Sequence, residues 1–367
     1  MKPIVFGLIG AGWRAEFYLR IARELPERFE VGGMVIRDST KRKEMEEKWR
    51  IKTFSTIESL LENVSVSFVV LSVPPSVNPD LIIELTNQHV PVLAETPPAP
   101  DLDSLLRLNQ EIKSHAKVQV AEQFNFQPRN ASIQAIVDSG KLGSIRQVQI
   151  SVAHGYHGIS LMRKLLGIRY DNAEIHAYRF VSPLVNGPNR QGPANEGIVI
   201  ESEQTVATLY FDNKLGMYDF TGDQYFSWIR SPRLLIRVEK GEINTNQISY
   251  LKEYHTPIYL DLKRVNAGEN GNLEGFYLKG FLAGDEWVYK NPFIPGRLTD
   301  EEIAIATCLE KMEIYVNGGE SFYSLEEASQ DQYLSLMINK AVETKTACVT
   351  IEQNWTKKNI NVKERKI

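Results

Sequence analysis

Cysteine is scarce, with Cys308 and Cys348 the only two in 367 residues. They lie far apart and without metal-like spacing, which excludes a disulfide framework, suits a reducing compartment and leaves both as core residues. No run reaches the roughly 18 consecutive apolar residues that a membrane helix needs. The apolar start at Ile4–Ile9 leads into a helix-like segment with charges, so no signal peptide is expected. Neither sign of charge dominates: 42 basic against 46 acidic residues give a net charge of −4 and a pI near 6.0. That balance excludes a general pull towards nucleic acid or anionic membrane. With 43% hydrophobic and 24% charged residues, the chain also lacks the bias of a disordered protein. A folded, cytoplasmic protein with a small-molecule ligand and no bound metal is the expectation. Its length points to two domains, since one usually holds roughly 100–200 residues.

Strand and helix alternate through the first third. Ile4–Ile9 is a compact apolar run ending in glycines, as a strand buried on both faces would be. In the next segment Phe17, Ile21 and Leu25 recur at helical spacing until Pro26. The pattern predicts strands at Glu30–Ile36, Ser67–Val73, Pro91–Glu95 and Lys117–Glu122, with helices at Thr40–Trp49, Asn78–Asn87 and Leu102–Ser114. That rhythm implies a parallel, doubly wound sheet with right-handed crossovers. Boundaries are set at 1–122 for this α/β Rossmann domain and 123–367 for a second domain. In the latter, Arg146–Val152 and Thr205–Phe211 alternate in strand fashion, and Tyr218, Phe220, Tyr225, Phe226 and Trp228 supply bulky sheet residues. Helices are expected at Leu298–Tyr315 and Ser324–Glu343, a loop at Val185–Gly197, read as a surface loop or else one near the site opening, and a frayed basic tail from Lys357 to Lys366.

The first turn, Gly10-Ala11-Gly12-Trp13-Arg14-Ala15, has the G-x-G-x-x-A form of the dinucleotide fingerprint between a strand and a helix. Gly10 permits the tight turn, Gly12 admits a pyrophosphate, and Ala15 allows close packing of helix on strand. The helix N-terminus would hold the phosphates through free N–H groups and its dipole. After the second strand come Arg37 and Asp38. Arg37 facing the ribose would favour NADP and Asp38 would favour NAD, and both remain open.

Together with Val73-Pro74-Pro75, Glu95-Thr96-Pro97, Ser139–Gly143 and Gly318–Tyr323, this turn resembles the glucose-fructose oxidoreductase and inositol dehydrogenase (Gfo/Idh/MocA) family over nearly the whole chain. The resemblance implies an α+β second domain with an open, mostly antiparallel sheet, whose free face pairs subunits into a homodimer or homotetramer. It implies an NAD(P)-dependent oxidoreductase acting on a sugar, polyol or related hydroxy compound, with Val73, Pro74, Glu95 and Pro97 beside the cofactor. Family members usually carry a lysine where this chain has Thr96, and an aspartate four residues before a catalytic histidine. Here His157 matches the histidine, and Ala153 stands in the aspartate's place.

His157 is therefore the candidate acid/base, since an imidazole titrates near neutrality and can take an alcohol proton. Thr96, in the place of the family lysine, would be a weak, uncharged hydrogen-bond partner of the reacting hydroxyl, and His154 could share a helical face with His157. Gln123 and Asn125, after the last strand, would contact substrate or else cap the following helix. A missing ammonium could be replaced by Lys263 or Arg230 folding into the cleft. A dinucleotide-binding sensor without redox turnover is the alternative function.

Overall fold

The computed structural model describes residues 2–194, 196–268, 272 and 274–357. The tail expected to fray therefore lies, from residue 358 on, outside the described residues. The first unit runs β1 (Ile4–Ile9), α1 (Ala15–Glu24), β2 (Phe29–Val35), α2 (Ser39–Trp49), β3 (Thr53–Phe54), α3 (Ile57–Asn63), β4 (Phe68–Leu71), α4 (Asn78–Asn87), β5 (Val92–Ala94), α5 (Leu102–Glu111) and β6 (Val118–Val120). Its six strands lie in the order β3-β2-β1-β4-β5-β6, all parallel, which is the doubly wound dinucleotide-binding order. The order reverses between β1 and β4, where Ile9 pairs with Leu71. Chain direction therefore diverges beyond these residues and leaves a crevice at the strand ends. α1 turns Tyr18, Leu19 and Ile21 onto the sheet, each buried; side chains of this kind contribute roughly 1.5–3 kcal/mol apiece when buried. Sequence reading missed β3 and α3, whose segments are too short to show a period.

The second unit holds α6 (Pro128–Asp138), β7 (Ile145–Ser151), α7 (Gly155–Leu166), β8 (Glu174–Val185), β9 (Val199–Phe211), β10 (Lys214–Thr221), β11 (Arg233–Val238), β12 (Gly241–Asn244), β13 (Gln247–Glu253), β14 (Thr256–Ala267), β15 (Tyr277–Ala283) and β16 (Glu286–Lys290). It ends with α8 (Asp300–Val316), α9 (Leu325–Thr344), β17 (Cys348–Val349) and α10 (Asn354–Lys357). Eleven strands form one sheet, antiparallel except where β7 runs parallel to β10. The two-domain α/β plus α+β architecture is as expected. α8 also packs on α1, β1 and β4, so the chain returns to the first sheet after finishing the second.

Two placements differ from the sequence reading. Tyr218 and Phe220 lie in β10, but Tyr225 ends a short 3-10 turn over residues 222–225, and Phe226 and Trp228 follow it outside any strand. The turn forms because Thr221 and Gln224 make a reciprocal capping box, and Gln224 is buried against Ser151. The strand expected to reach Glu122 stops at Val120, and the chain bends into a 3-10 turn at Gln123–Phe126 ahead of Pro128. Both cysteines are buried and free. Among the described residues no helix is long and apolar enough to cross a membrane.

Candidate functional site

The C-terminal ends of β1, β2, β4 and β5 open into a cleft of about 1510 Å³, closed on the other side by the second unit. That volume exceeds the few hundred to 1,000 Å³ or so of an ordinary small-molecule pocket. It accommodates a dinucleotide beside a small substrate.

The nucleotide end is built by the first turn. Gly10 sits at φ +104°, and a Cβ there would lie 2.2 Å from the Ser72 carbonyl oxygen, so glycine is required. Gly12 is the reverse case: nothing lies within 4 Å of the Cβ position, and the open space belongs to the cleft. Ala15 is fully buried where α1 meets the sheet. Arg14 stands at the N-cap of α1 without a side-chain cap bond; Ala15 N and Phe17 N donate to the Gly12 and Arg14 carbonyls at 3.0 and 3.1 Å, so the helix offers a phosphate its dipole and the Glu16 N–H between them. These features fit a pyrophosphate. Trp13, half exposed, carries the Arg190 guanidinium 3.7 Å above its ring, so the loop between β8 and β9 reaches the nucleotide turn.

Arg37 and Asp38 both line the cleft. Asp38 also caps α2, its carboxylate accepting from Lys41 N at 2.7 Å, whereas the Arg37 side chain is exposed. Val73 and Pro74 line the wall after β4. Glu95 is buried at the cleft, accepting from Tyr18 Oη at 2.5 Å and lying 3.7 Å from Arg14 Nε, which also pairs with Glu301. Pro97 does not line the cleft; its carbonyl accepts from Asn78 Nδ2 at 3.3 Å, so its role is to shape the turn.

Thr96 and His157, 61 positions apart, meet here. Thr96 Oγ1 lies 3.4 Å from His157 Nε2, and on the other side of the ring Nδ1 lies 2.7 Å from Glu122 Oε2. The ring packs between Phe124 and His154, with centroids at 4.5 and 5.0 Å, which fixes its plane. α7 itself is anchored by Arg163, paired at 2.7 Å with Asp331 and at 2.8 Å with Glu327 of α9. Burial raises the Glu122 carboxyl to about 8, opposed by the Phe124 N–H it accepts and by the Arg14 charge. Burial lowers His157 to about 3, helped by Arg14. The two buried groups thus share a single proton at neutral pH, leaving Nε2 as an N–H donor towards Thr96 and the cleft. His154 keeps a face in the cleft, and its Nδ1 lies 2.7 Å from Tyr225 Oη. Burial first, then His157 and Arg14, lower it to about 4, so it is neutral.

Several sequence candidates lie elsewhere. Asn125 is buried behind the wall with its amide on Ser160 Oγ at 2.8 Å, and Gln123, its amide set by its neighbours, donates to Ala121 O at 2.8 Å and accepts from Arg14 Nη2 at 3.2 Å. Neither lines the cleft or caps α6, whose N-cap is Gln127. Both are corrections: the bend after Val120 turns these side chains inward and presents Glu122 to His157 instead. Nor do Lys263 and Arg230 replace a lysine; Lys263 stands on β14 away from the cleft, and Arg230 binds Asp223 at 3.1 Å and Ser202 at 2.7 Å. Sequence reading missed Glu122, whose role depends on the bend after Val120. It also missed Arg190, Tyr225 and Arg129.

Residues 4–142 match the model of an oxidoreductase family described by its NAD-binding Rossmann fold. Two uncharacterised oxidoreductases of Schizosaccharomyces pombe are 26% identical over 153 residues and 24% over 149. The aligned stretches span 41% and 40% of this chain and only 42% and 40% of those relatives. Among solved structures, an oxidoreductase from Agrobacterium radiobacter in complex with NAD+, L-tartaric acid and magnesium is similar at a TM-score of 0.67 and 14% identity, over 95% of this chain and 98% of that one. A levoglucosan dehydrogenase with NADH and levoglucosan gives 0.67 and 14% over 96% and 100%, and the scyllo-inositol dehydrogenase of Lactobacillus casei gives 0.63 and 16% over 95% and 98%. At such identities the structures show the shared fold.

Proposed function

Residues 4–142 of this chain belong to the Gfo/Idh/MocA oxidoreductase family, and from that premise we propose an NAD(P)-dependent oxidoreductase acting on a sugar, polyol or related hydroxy compound. The observation that carries this reading is the line Glu122, His157, Thr96 at the cleft that also holds the fingerprint turn. A bound nicotinamide supplies or accepts the hydride. The chain's own groups manage the proton. His157 Nε2, facing the cleft, donates its proton to a carbonyl oxygen during reduction while Nδ1 takes the proton of the Glu122 carboxyl, and the two transfers run in reverse when an alcohol is oxidised. Glu122 holds Nδ1 and so fixes ring orientation and tautomer, the part that the family's aspartate would play. Thr96 Oγ1 adds an uncharged hydrogen bond to the reacting oxygen. The neighbouring dehydrogenase bound to levoglucosan, and another named for scyllo-inositol, support the substrate class.

The open sheet face carries exposed Tyr178, Phe180 and Tyr210 on paired strands β8 and β9, which supports assembly into a homodimer or homotetramer through that face. The reducing-compartment chemistry of two buried free thiols supports a cytoplasmic site of action.

One observation favours a sensor that binds dinucleotide without turnover: among the described residues no lysine lines the cleft beside Thr96 to stabilise an alkoxide, and Arg14 is occupied by Glu95 and Glu301. Steady-state cofactor reduction with a panel of sugars and polyols separates the two. Slow turnover of some member, abolished by His157→Ala, is expected of the enzyme; tight cofactor binding with no turnover of any member would establish the sensor.

A further inference from the structure

Most internal arginines here meet an acid: Arg163 has Glu327 and Asp331, Arg14 has Glu95 and Glu301, and Arg20 has Glu302. Arg129 differs. It is the second residue of α6, lines the cleft, and is only partly exposed. Its Nε donates to Asn246 Oδ1 at 2.9 Å and its Nη2 to Thr245 O at 2.9 Å, both neutral acceptors on the turn between β12 and β13. Among the described residues it has no carboxylate partner, and burial alone acts on it, lowering its pKa. A guanidinium taken out of water without a counter-ion is costly to hold. Its position at the N-terminal end of a helix adds to that cost, because the positive dipole end repels a cation. Both costs fall when an anion binds.

The position of Arg129 says which anion. Its turn is tied to the second sheet through Thr245 N on the Leu234 carbonyl, two residues from Pro232 in the cleft wall. The nucleotide turn and Arg37 lie on the other unit, at the ends of β1 and β2. Around Arg129 the cleft is lined by Gln127, Asn130, Val152, Gln224 and Pro232, none of them acidic. The free Nη1 of a guanidinium already held on two sides suits an acidic group arriving from the substrate side.

We infer that the substrate is an anion, a sugar acid or sugar phosphate whose acidic group docks on Arg129 while its reacting carbon lies at His157. The inference rests on the oxidoreductase reading above, and deepens it by adding a charge to the substrate class. Calorimetric titration of the cofactor-loaded protein with D-glucuronate, D-glucose 6-phosphate and D-glucose tests it without requiring turnover. At least one acid should bind roughly 100-fold or more tightly than glucose, the scale of a desolvated charge pair. The two acids separate carboxylate from phosphate. Arg129→Gln should level the preference, and Arg129→Lys should retain part of it. Should the Gln variant not fold, the wild-type contrast between acid and neutral sugar decides alone. Equal binding of all three, no binding of any, or a preference that survives Arg129→Gln would overturn the inference. Turnover of neutral sugars with no preference for their acids would sink it while leaving the oxidoreductase reading intact; tight acid binding without turnover would do the reverse.

Discussion

Replacing Glu122 by Gln isolates the pair at the centre of the site. The amide oxygen can keep the bond from Phe124 N, now 3.1 Å from Glu122 Oε1, while the amide NH₂ faces His157 Nδ1. An NH₂ there must donate and cannot take up a proton, so the ring is held with its proton on Nε2 and cannot reach the form, with Nδ1–H facing a Glu122 carboxylate, in which Nε2 accepts an alcohol proton. Alcohol oxidation should fall by ~10²–10⁴, the usual worth of a positioned base. Stability moves the other way. Unfolded, Glu122 titrates at its ordinary 4.5 and His157 at 6.5; folded, burial moves them to about 8 and about 3. Between pH 4.5 and 6.5 both states hold one proton on the pair, and stability is flat. From 6.5 to about 8 the unfolded pair holds none while the folded pair keeps one, so stability falls as pH rises, by about 2 kcal/mol in all. Below 4.5 the unfolded pair holds two against one, and stability falls again towards pH 3. Glu122→Gln removes the alkaline fall and, with His157 left to titrate alone, moves the onset of the acid fall up from 4.5 to 6.5. Thermal melts from pH 5 to 9 should therefore show a decline of Tm above pH 6.5 in wild type that shrinks in the variant. A variant that oxidises the same substrate at the wild-type rate, or an unchanged alkaline decline, would refute the pairing.

Other substitutions test the remaining parts. Gly12→Val puts a side chain into space that now holds nothing within 4 Å of the Cβ position, and calorimetry with the oxidised and reduced forms of NAD and NADP should show binding weakened strongly for all. Arg37→Ala should weaken NADPH binding more than NADH binding, whereas equal losses would remove the exposed guanidinium from the site. Asp38→Ala should lower stability by ~1 kcal/mol in denaturant melts, because that carboxylate caps α2, and a selective loss of NADH would show that it also faces the ribose. Thr96→Lys should raise turnover by placing an ammonium at the reacting oxygen; an inert variant would show that charge there is not what limits the rate.

The sequence carried the fold well because its cues are local. Apolar runs of β-strand length between amphipathic helices specify a parallel sheet, and the turn's spacing is one that a one-dimensional pattern can express: Gly10 is dictated by backbone geometry, Gly12 by the open cleft beside it and Ala15 by close packing. Thr96 and His157 were legible as positions, but that they lie 3.4 Å apart was not. Glu122 was not, because its role depends on a bend after Val120 that turns Gln123 and Asn125 inward. Arg129 escaped for the same kind of reason: what distinguishes it is the lack of an acid nearby, which only packing reveals. Tyr225 and Phe226 were read as strand residues since bulky aromatics favour sheet, but the Thr221–Gln224 capping box breaks β10 first.

Redox turnover at His157 is most directly measured in a single turnover towards reduction, the direction in which the neutral pair presents an Nε2 proton. Protein loaded with reduced nicotinamide is mixed rapidly with the aldehydes and ketones that correspond to the sugar, sugar acid and polyol panel, and the nicotinamide fluorescence is followed. The account predicts a decay with at least one carbonyl compound, slowed ~10²-fold or more in His157→Ala. Fluorescence that persists with every compound, in a protein shown to hold its cofactor, would contradict it.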